Sequence, residues 1–555
     1  MSAHPISLIA GKPRFADAAL SELQKAQGIE ASWRAALAAG PQSAAAGVQG
    51  DFAVGLHDEQ GRVFLAVDRF AIRSLCYSFV GGVLHFAERA DELGEASDID
   101  PQAIYDYLYF HVIPSPRTIY KSVHRLPPGH YAWLEDGKLT VAPYWTPEFS
   151  HPASASFDGL AQEFRGLLEQ AVARQLDGAT PACFLSGGTD SSTVAGMIGR
   201  VSGRPAEAYS IGFEAQGYDE MEYARLAARH FGAKHHEYYV TPDDLVRSVP
   251  RVAAYYDQPF GNSSALPSFY CAEMAQRDGV TRILAGDGGD ELFGGNTRYA
   301  KQKVFNAYQS IPSGLRSALL EPLAGTAFLQ SLPLLKKGAS YVNQAKVPMP
   351  DRTMTYNLLE RLGLPEVLTP QFLAQVDPGA PRQLQRDVWP QVRDGNLVDH
   401  MLAFDWRFTL ADCDLPKVVG TTQLAGLSVG FPMLDDDLLA FSMRLPADYK
   451  LRGLKLRWFF KEALRGFLPD EIIVKKKQGF GLPFGVWALQ HGPLKALARD
   501  SLQSLERRGL VNEAFARALL DHRLAEDAGY YGEMVWILMM LEQWLAAKAP
   551  NYRCS

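Results

Sequence analysis

The stretch FLSGGTDSS, residues 184–192, decides the fold of this chain. An apolar run ends in two glycines, and the helix-like run SSTVAGMIGRV (191–201) follows, which predicts a buried strand, a tight turn and a helix. Gly187 and Gly188 let the backbone approach a ligand closely, and a helix amino terminus presents free N–H groups that suit a phosphate. No lysine follows the glycines, which excludes the GxxxxGKS/T phosphate loop. A simple turn with serine as helix cap is the structural alternative.

A second glycine-rich stretch, LAGDGGDELFGGN (284–296), also follows a short apolar run. Carboxylates beside a pyrophosphate repel it unless a hard cation lies between them. We therefore predict that Asp190 and Asp290 hold a Mg²⁺ that bridges phosphates. Asp287 remains to position a nucleophile or to take its proton. Hydroxyl donors toward the phosphates would come from Ser186, Ser191 and Ser192.

A third stretch, VKKKQGFG (474–481), combines three lysines with glycines. Lysine runs are usually solvated surface. Here the apolar, glycine-rich run GFGLPFGVW (479–487) overlaps it, which predicts a loop that folds over a cleft. A lysine in such a loop would stabilise charge on a phosphorane or a tetrahedral intermediate.

Strand and helix patterns alternate after about residue 158. Apolar runs predict strands at 182–185, 206–213, 235–240 and 281–286. Alternation of this kind is typical of a parallel sheet covered on both faces by helices. Ligands in such sheets bind at the carboxyl ends of the strands, where both glycine-rich stretches lie. From about residue 300 onward the pattern is mostly helical.

The amino-terminal part has a different pattern. Residues 51–145 read as strands joined by turns, with one helix that Asp100 caps. The stretch 146–157 loses apolar periodicity and gathers proline and serine, which marks a domain boundary. We predict an α+β sandwich domain in residues 1–150. An α/β parallel-sheet domain with a helical C-terminal part would follow in residues 158–555.

Composition narrows the class of protein. Of the 555 residues, 47% are hydrophobic and 21% charged, with a net charge of −7, so no basic excess points to a nucleic-acid partner. The five cysteines form no CxxC pair, which argues against a zinc ribbon or a secreted disulfide scaffold. The amino terminus has no signal-peptide pattern, and the apolar run MVWILMML (534–541) is too short to span a membrane. We expect a cytoplasmic protein.

The three stretches together resemble the asparagine synthetase family, which includes β-lactam synthetases, carbapenam synthetases and lasso-peptide cyclases. The first stretch resembles the pyrophosphate loop of enzymes that cleave ATP between the α- and β-phosphates. The resemblance implies a class II glutamine amidotransferase-like domain of the Ntn type, followed by a pyrophosphate-loop synthetase domain. Further family-like strings are GDFAVGLHDEQGRVFLAVDRF (50–70), HFAERADEL (85–93), LPPGHY (126–131), YSIGF (209–213), YDEMEYARLAARHFGAKHHE (218–237) and FPMLDDDLLAF (431–441).

The resemblance also implies a reaction and its residues. With ATP and Mg²⁺ as cofactors, a carboxylate would become an acyl-adenylate, and an amine or ammonia would then displace AMP. Asp287 and Asp290 match the family's acidic pair, and Lys477 matches its catalytic lysine. Pyrophosphate and Mg²⁺ would be bound by Ser186, Gly188, Asp190 and Ser191. The adenosine would contact the backbone of Leu185, Ile211 and Gly286.

The sequence departs from the family at its amino terminus. Members that use glutamine begin Met-Cys-Gly-Ile-Ala-Gly, and the cysteine is the nucleophile that releases ammonia. Here the best match is SLIAG (7–11), with Ser7 in the cysteine's place, and no cysteine precedes Cys76. An internal serine has no adjacent α-amino group to act as base, and no asparagine precedes Asn262 to serve as an oxyanion donor. We interpret this domain as a degenerate glutaminase shell.

The acyl side departs too. No arginine or lysine lies between Arg251 and Arg277 to clamp an aspartate α-carboxylate. LSVGFP (427–432) stands where relatives have Leu-Glu-Val-Arg-Val-Pro. Both changes favour a larger or less charged carboxylate than free aspartate. In relatives the segment equivalent to 257–264 lines the acyl pocket, so the candidate pocket residues are Asp257, Asn262, Ser263 and Ser264.

Our leading hypothesis is an ATP-dependent, AMP-forming amide synthetase that joins a small-molecule or peptide carboxylate to ammonia or an amine, without its own glutaminase activity. Three alternatives stay open: an intramolecular cyclase of the lasso-peptide or β-lactam type, a glutamine-dependent amidotransferase, and a non-catalytic nucleotide-binding protein. The presence of all the expected acidic residues and of Lys477 argues against the last. We expect neither a nucleic-acid nor a membrane partner, and the sequence leaves a homodimer open.

Overall fold

The structure, a computed structural model, describes most of the chain. The described residues are 7–58, 60–151, 156–176, 178, 180–215, 217–309, 311–312, 314, 341–476 and 481–554. Part of the predicted domain boundary and Lys477 lie outside them. We call residues 7–151 the N-terminal sandwich and residues 156–554 the C-terminal part.

Two antiparallel sheets form the N-terminal sandwich. The larger has the strand order β1-β4-β5-β9-β10 and the smaller the order β7-β6-β8, while β2 and β3 pair separately. The register places Ser7 opposite Leu56. The strands are β1 (Ser7–Gly11), β2 (Arg14–Phe15), β3 (Val48–Gln49), β4 (Phe52–His57), β5 (Val63–Val67), β6 (Cys76–Val80), β7 (Val83–Ala87), β8 (His124–Arg125), β9 (His130–Glu135) and β10 (Lys138–Pro143).

Apolar side chains fill both faces of the larger sheet. Between the sheets, Leu65 of the larger sheet packs with Leu84 and Phe86 of the smaller one. Successive side chains of a strand point to opposite faces, so alternate residues reach this core. The helices α1 (Ala18–Gln27), α2 (Ile29–Ala36) and α3 (Pro41–Ala46) cover the opposite face. Trp33 of α2 is fully buried there and packs with Phe52 and Phe64 of the sheet. The predicted α+β sandwich is confirmed.

One helix of the sandwich follows its predicted start. The carboxylate of Asp100 accepts a hydrogen bond from Gln102 N, and Pro101 is the first residue of α4 (Pro101–Phe110). Proline fits there because the first N–H of a helix has no partner within the helix. The helix ends at His111, whose backbone is left-handed.

A five-stranded parallel sheet forms the centre of the C-terminal part, with the order β13-β12-β11-β14-β15. The prediction of a parallel sheet covered by helices is confirmed. The sequence pattern missed β15, which contains three residues and lies within a segment that reads as helical. The strands of this parallel sheet are β11 (Ala182–Phe184), β12 (Glu207–Phe213), β13 (Lys234–Val240), β14 (Arg282–Leu284) and β15 (Ser428–Gly430). A separate hairpin pairs β16 (Leu451–Arg452) with β17 (Lys455–Leu456).

Helices connect these strands and continue to the carboxyl end. In α8 the Thr241 hydroxyl and the Asp244 carboxylate form a capping box, which fixes where the helix begins. None of the described helices is long and apolar enough to cross a membrane. The helices near the sheet are α5 (Phe157–Gln175), α6 (Thr189–Ser202), α7 (Met221–Phe231), α8 (Pro242–Tyr255), α9 (Ala265–Arg277), α10 (Gly289–Phe293) and α11 (Thr297–Gln309).

The C-terminal helices pack against one another and against α8 and α9. A π-helical segment (Trp406–Asp414) joins two of them. These helices are α12 (Leu358–Leu362), α13 (Leu364–Val367), α14 (Pro370–Leu373), α15 (Ala380–Val388), α16 (Leu397–Asp405), α17 (Leu415–Leu424), α18 (Asp436–Arg444), α19 (Ala447–Lys450), α20 (Trp458–Ala463), α21 (Asp470–Val474), α22 (Phe484–Gln490), α23 (Gly492–Arg507), α24 (Glu513–Ala518), α25 (Leu524–Glu526) and α26 (Ala528–Lys548).

A buried ion pair ties α19 to α16. Lys450 Nζ lies 3.0 Å from Asp399 Oδ1, both side chains are fully buried, and His151 Nε2 lies 2.8 Å from the other carboxylate oxygen. Replacing Lys450 with Met leaves a buried carboxylate without its cation. We expect a loss of about 3–5 kcal/mol in the free energy of unfolding.

Chemical denaturation of the Lys450→Met variant measures this loss. The exposed Lys455 of the β16–β17 hairpin gives a matched control, and its Met variant should change stability by less than about 0.5 kcal/mol. Equal stabilities for the two variants would show that the pair contributes nothing.

Candidate active site

The first glycine-rich stretch forms the turn between β11 and α6. Gly187 has a φ of +70°, and a Cβ added there would lie 2.4 Å from the backbone nitrogen of Ala224, so only glycine fits without strain. Gly188 is the N-cap of α6. The first N–H groups of α6 therefore point into the loop without partners in the helix, which suits an anion.

The loop hydroxyls bond to one another. Ser186 N donates to Ser191 Oγ over 3.1 Å, and the two hydroxyl oxygens lie 3.0 Å apart. Gly188 N donates to Ser186 Oγ over 3.3 Å. Ser186 is exposed, whereas Ser192 is buried and its Oγ makes no hydrogen bond within the described part of the chain. Thus Ser186 and Ser191 line the loop, while Ser192 faces the interior.

The predicted adenosine contacts lie on neighbouring strands. Leu185 N donates to Tyr209 O over 2.8 Å, and Leu185 O accepts from Ser210 Oγ over 2.5 Å. A carbonyl oxygen has two lone pairs, so Leu185 O retains one for a ligand. Ile211, on β12, is half-buried beside it.

Two glycines bring the second glycine-rich stretch against the first. A Cβ at Gly286 would lie 2.8 Å from Ser191 N, and one at Gly289 would lie 2.2 Å from Asp190 Oδ1. These approaches require the absence of side chains. They place Asp290, in the first turn of α10, close to Asp190.

The guanidinium of Arg457 joins these two aspartates. Its Nη1 lies 2.9 Å from Asp190 Oδ2 and 2.8 Å from Asp290 Oδ1, and its Nη2 also bonds to Asp190. Arg457 is buried, and its guanidinium lies 4.3 Å from the centre of the Phe460 ring. One buried cation therefore neutralises part of the charge of the two carboxylates.

Arg457 is the residue that the sequence interpretation missed. It lies 267 residues from Asp190 in the chain and belongs to none of the glycine-rich stretches. Its φ is +54°, an uncommon value for a residue other than glycine. No local pattern in the sequence predicts the contact of Arg457 with Asp190 or its positive φ.

The donor chemistry at Asp190 and Asp290 fits Mg²⁺. This ion prefers carboxylate oxygens and usually takes one or two of them together with substrate phosphates and water. Within the described ranges, no group of three or more His, Cys, Asp or Glu side chains could hold a metal ion.

Asp287 lies in a separate charged group of the same loop. Lys417 Nζ lies 3.6 Å from Asp287 Oδ1 and 3.0 Å from Asp414 Oδ1. Burial raises the pKa of Asp287 above its ordinary value, and the Lys417 ammonium opposes this rise. A carboxylate in this setting is suited to accept a proton.

The candidate acyl-pocket residues divide into two groups. Asn262 Nδ2 lies 3.3 Å from Cys413 Sγ and 3.4 Å from Asp414 Oδ1, so it belongs to the Asp287 group. Asp257 instead faces the N-terminal sandwich, where its carboxylate lies 3.1 Å from an Arg125 nitrogen. Ser263 and Ser264 are half-buried at the start of α9, beside Asn262.

Lys477 lies outside the described residues, so its predicted role stays a prediction. Lys475 is described and lies against the first loop. Its Nζ lies 2.8 Å from Glu220 Oε1 and 3.4 Å from Gly187 O, and 4.4 Å from the centre of the Tyr223 ring. A lysine of the third stretch thus contacts the first loop.

Ser7, the residue in the place of the family's cysteine, begins the edge strand of the larger sheet. Its hydroxyl donates to Glu30 Oε2 over 3.0 Å. Leu8 and Ala10, the alternate residues of the same strand, pack against the apolar core between the sheets.

Comparison with known proteins identifies two families along the chain. The model of the asparagine synthase family matches residues 163–546, and that of the glutamine amidotransferase domain matches residues 29–145. Asparagine synthetase (glutamine-hydrolyzing) 1 of Bacillus subtilis (strain 168) is 24% identical over 511 residues, which is 91% of this chain and 78% of that protein. A putative asparagine synthetase (glutamine-hydrolyzing) of Mycobacterium tuberculosis (strain ATCC 25618 / H37Rv) is 27% identical over 90% of this chain and 76% of its own.

A third relative is called an amidase. Amidase chry2 of Gibberella zeae is 23% identical over 80% of this chain and 71% of its own. Among solved structures, a U34-tRNA thiolase, NcsA from Methanococcus maripaludis, matches 41% of this chain and 78% of its own at 13% identity, with a TM-score of 0.18. A score this low supports no argument. The asparagine synthase model covers more than half of the sequence, and the chain therefore belongs to the asparagine synthetase family of ATP-dependent carbon–nitrogen ligases.

Proposed function

We propose that this chain activates a carboxylate as an acyl-adenylate and transfers the acyl group to ammonia or an amine, without glutaminase activity of its own. The observation that supports this most is the meeting of the two glycine-rich loops, with Asp190 and Asp290 on one side and Asp287 on the other. This arrangement would separate phosphate binding, at Asp190 and Asp290, from proton transfer, at Asp287.

In the first step a carboxylate oxygen of the substrate attacks the α-phosphorus of ATP, and the bond to the bridging oxygen of the β-phosphate breaks. The N–H groups at the start of α6 and the hydroxyls of Ser186 and Ser191 would bind the departing pyrophosphate. Asp190 and Asp290 would hold Mg²⁺, which supplies positive charge to the phosphates when it is bound.

In the second step the amine nitrogen attacks the acyl carbon, and the bond to the AMP oxygen breaks. The nitrogen loses a proton during this step, and Asp287 would accept it. Lys417 would act as a positioning residue, because its ammonium holds Asp287 and favours the ionised form.

Replacing Lys417 with Met should shift the pH dependence of amide formation. Without the ammonium the pKa of Asp287 rises further, because burial remains and the opposing cation is lost. The ionised base is then present only at higher pH, so the acidic limb of the rate profile moves to higher pH. Lys417→Arg keeps the charge and should leave the limb near that of the wild type. An unmoved limb in the Met variant would exclude this role for Lys417.

The proposal that glutamine is not used rests on the amino-terminal strand. Ser7 lies on the edge strand of the larger sheet, and its hydroxyl donates a hydrogen bond to Glu30. The glutamine amidotransferase match begins at residue 29, after this strand. The family's nucleophile at this position is a cysteine, and a serine hydroxyl is a weaker nucleophile than a thiolate.

ATP–pyrophosphate exchange with a panel of carboxylic acids tests the proposed activation, and nitrogen-source experiments test the rest. We expect exchange with at least one acid, amide formation with ammonium or an amine, and no glutamate release from glutamine. Glutamate release above that measured in buffer without the protein would contradict the loss of glutaminase activity. Absence of exchange with every acid, together with no ATP turnover, would support the non-catalytic alternative instead.

A further inference from the structure

A cavity of about 390 Å³ lies between α8 and α9, apart from both glycine-rich loops. Both helices line it with side chains of the same spacing. On α8 these are Asp244, Arg247, Ser248 and Arg251, and on α9 they are Tyr270, Glu273, Met274 and Arg277. Residues spaced by three, four and seven positions lie on one face of a helix, so each helix directs one complete face toward the cavity.

This face of α9 is distinct from the one that packs toward the catalytic groups. Ser268 Oγ lies 2.9 Å from Thr421 Oγ1 on α17, the helix that also contains Lys417. None of the cavity's lining residues belongs to the glycine-rich loops or to the Asp287 group. The cavity is therefore a separate place in the molecule.

The charges around the cavity are unequally exposed. The carboxylate side chains of Asp244 and Glu273 are 1% and 22% exposed, whereas the guanidinium side chains of Arg247, Arg251 and Arg277 are 66%, 54% and 68% exposed. The Asp244 carboxylate accepts hydrogen bonds from Thr241, Tyr238 and Arg247. The Glu273 carboxylate pairs with Arg251 and Arg277. A molecule that enters the cavity thus meets three exposed guanidinium groups, and the two carboxylates that neutralise part of their charge are less exposed.

In another arginine-rich cavity of the same chain, the carboxylates are more exposed. A cavity of about 250 Å³ beside α23 and α24 also has three arginines in its lining, but it has three carboxylates as well. Of these, Glu513 is 67% exposed and Asp521 is 35% exposed. Both cavities therefore have three arginines in their linings. They differ in their carboxylates, which are less exposed in the α8–α9 cavity.

Aromatic rings hold the floor of the α8–α9 cavity in place. The rings of Tyr238 and Tyr270 stack with centroids 5.6 Å apart, and the Arg251 guanidinium lies 4.8 Å from the centre of the Phe269 ring. Contact with the Phe269 ring limits the orientations of the Arg251 guanidinium, and its Nη1 lies 3.5 Å from Glu273 Oε1. Cavities of this size suit small molecules rather than flat protein surfaces.

We propose that the α8–α9 cavity is a second binding site, for a small polyanion with at least two phosphate or carboxylate groups. Guanidinium groups recognise both kinds of anion through paired N–H donors. The proposal does not depend on which acid the catalytic site uses.

Isothermal titration of the full chain with pyrophosphate and, separately, with citrate tests the site. We expect saturable binding with a Kd below about 1 mM for at least one probe, and a loss of affinity of about tenfold or more in the Arg251→Gln/Arg277→Gln double variant. The stronger probe identifies phosphate or carboxylate as the preferred group. On addition of the bound probe, hydrogen exchange of residues 242–277 should slow in the wild type and should not change in the double variant.

Arg517→Gln is the matched control, because Arg517 is equally exposed at 68% and also pairs with a glutamate four positions away. It should bind both probes as the wild type does. If the catalytic loop also binds pyrophosphate, the wild type shows two sites and the double variant one. If the catalytic loop does not bind pyrophosphate, the wild type shows one binding site and the double variant shows none. Equal binding by the folded double variant and the control, or no binding of either probe, would overturn the proposal.

Discussion

Replacing Asp190 with Asn is expected to lower the rate of ATP–pyrophosphate exchange by about 10²- to 10³-fold. The substitution keeps the shape of the side chain and removes its charge. Asp190 lies at the start of α6, where its carboxylate packs against Gly289 and bonds to Arg457. The neutral amide would be a weak ligand for Mg²⁺, and the phosphates of ATP would lose part of their compensating charge.

The fold should survive this change because Arg457 keeps its bond to Asp290. Asp437, which lies 2.7 Å from Arg174 at the surface of α18, offers a matched control. Its Asn variant should exchange pyrophosphate at the wild-type rate, and both variants should unfold at temperatures close to that of the wild type. A folded Asp190→Asn protein with undiminished exchange would show that this loop does not bind the reacting phosphates.

Replacing Arg457 with Met should affect both stability and catalysis. The side chain is buried between two carboxylates, and removal of the cation leaves them to repel each other. Loss of one partner of a buried ion pair costs about 3–5 kcal/mol. We expect a lower free energy of unfolding of this order and at least a tenfold slower exchange with the best acid.

Added Mg²⁺ distinguishes this explanation from simple loss of packing. In the Met variant the two carboxylates have no neighbouring guanidinium, so Mg²⁺ without nucleotide should raise the unfolding temperature more than it does for the wild type. Arg457→Lys retains a charge but not the planar fork, and it should fall between the two. A Met variant as stable as the wild type, with no response to Mg²⁺, would contradict the role that the structure gives to Arg457.

The two glycine-rich loops were largely predictable because the sequence signals for them are local. The two glycine-rich stretches each combine a strand, a turn and a helix start within about ten residues, and the glycines fit backbone positions that exclude a side chain, as at Gly187 and Gly289. Patterns of this length depend on neighbouring residues only. The sequence therefore indicates the loops, and the structure places them in contact.

The rest depends on contacts between distant parts of the chain. Arg457 reaches Asp190 across 267 residues, and Lys417 reaches Asp287 from a different helix. Asp257 was predicted for the acyl pocket from its position in the segment 257–264, yet its carboxylate bonds to Arg125 of the N-terminal sandwich. Charge and spacing in the sequence do not specify such partners, because packing of the helices decides which side chains meet.

Oxygen labelling would show directly whether an acyl-adenylate forms. An acid that supports exchange would be labelled with ¹⁸O in its carboxylate and converted to amide in the presence of ATP. Attack on the α-phosphorus predicts that one ¹⁸O appears in the phosphate of AMP and none in pyrophosphate. Label in inorganic phosphate with formation of ADP, or unlabelled AMP beside the amide product, would exclude an acyl-adenylate intermediate.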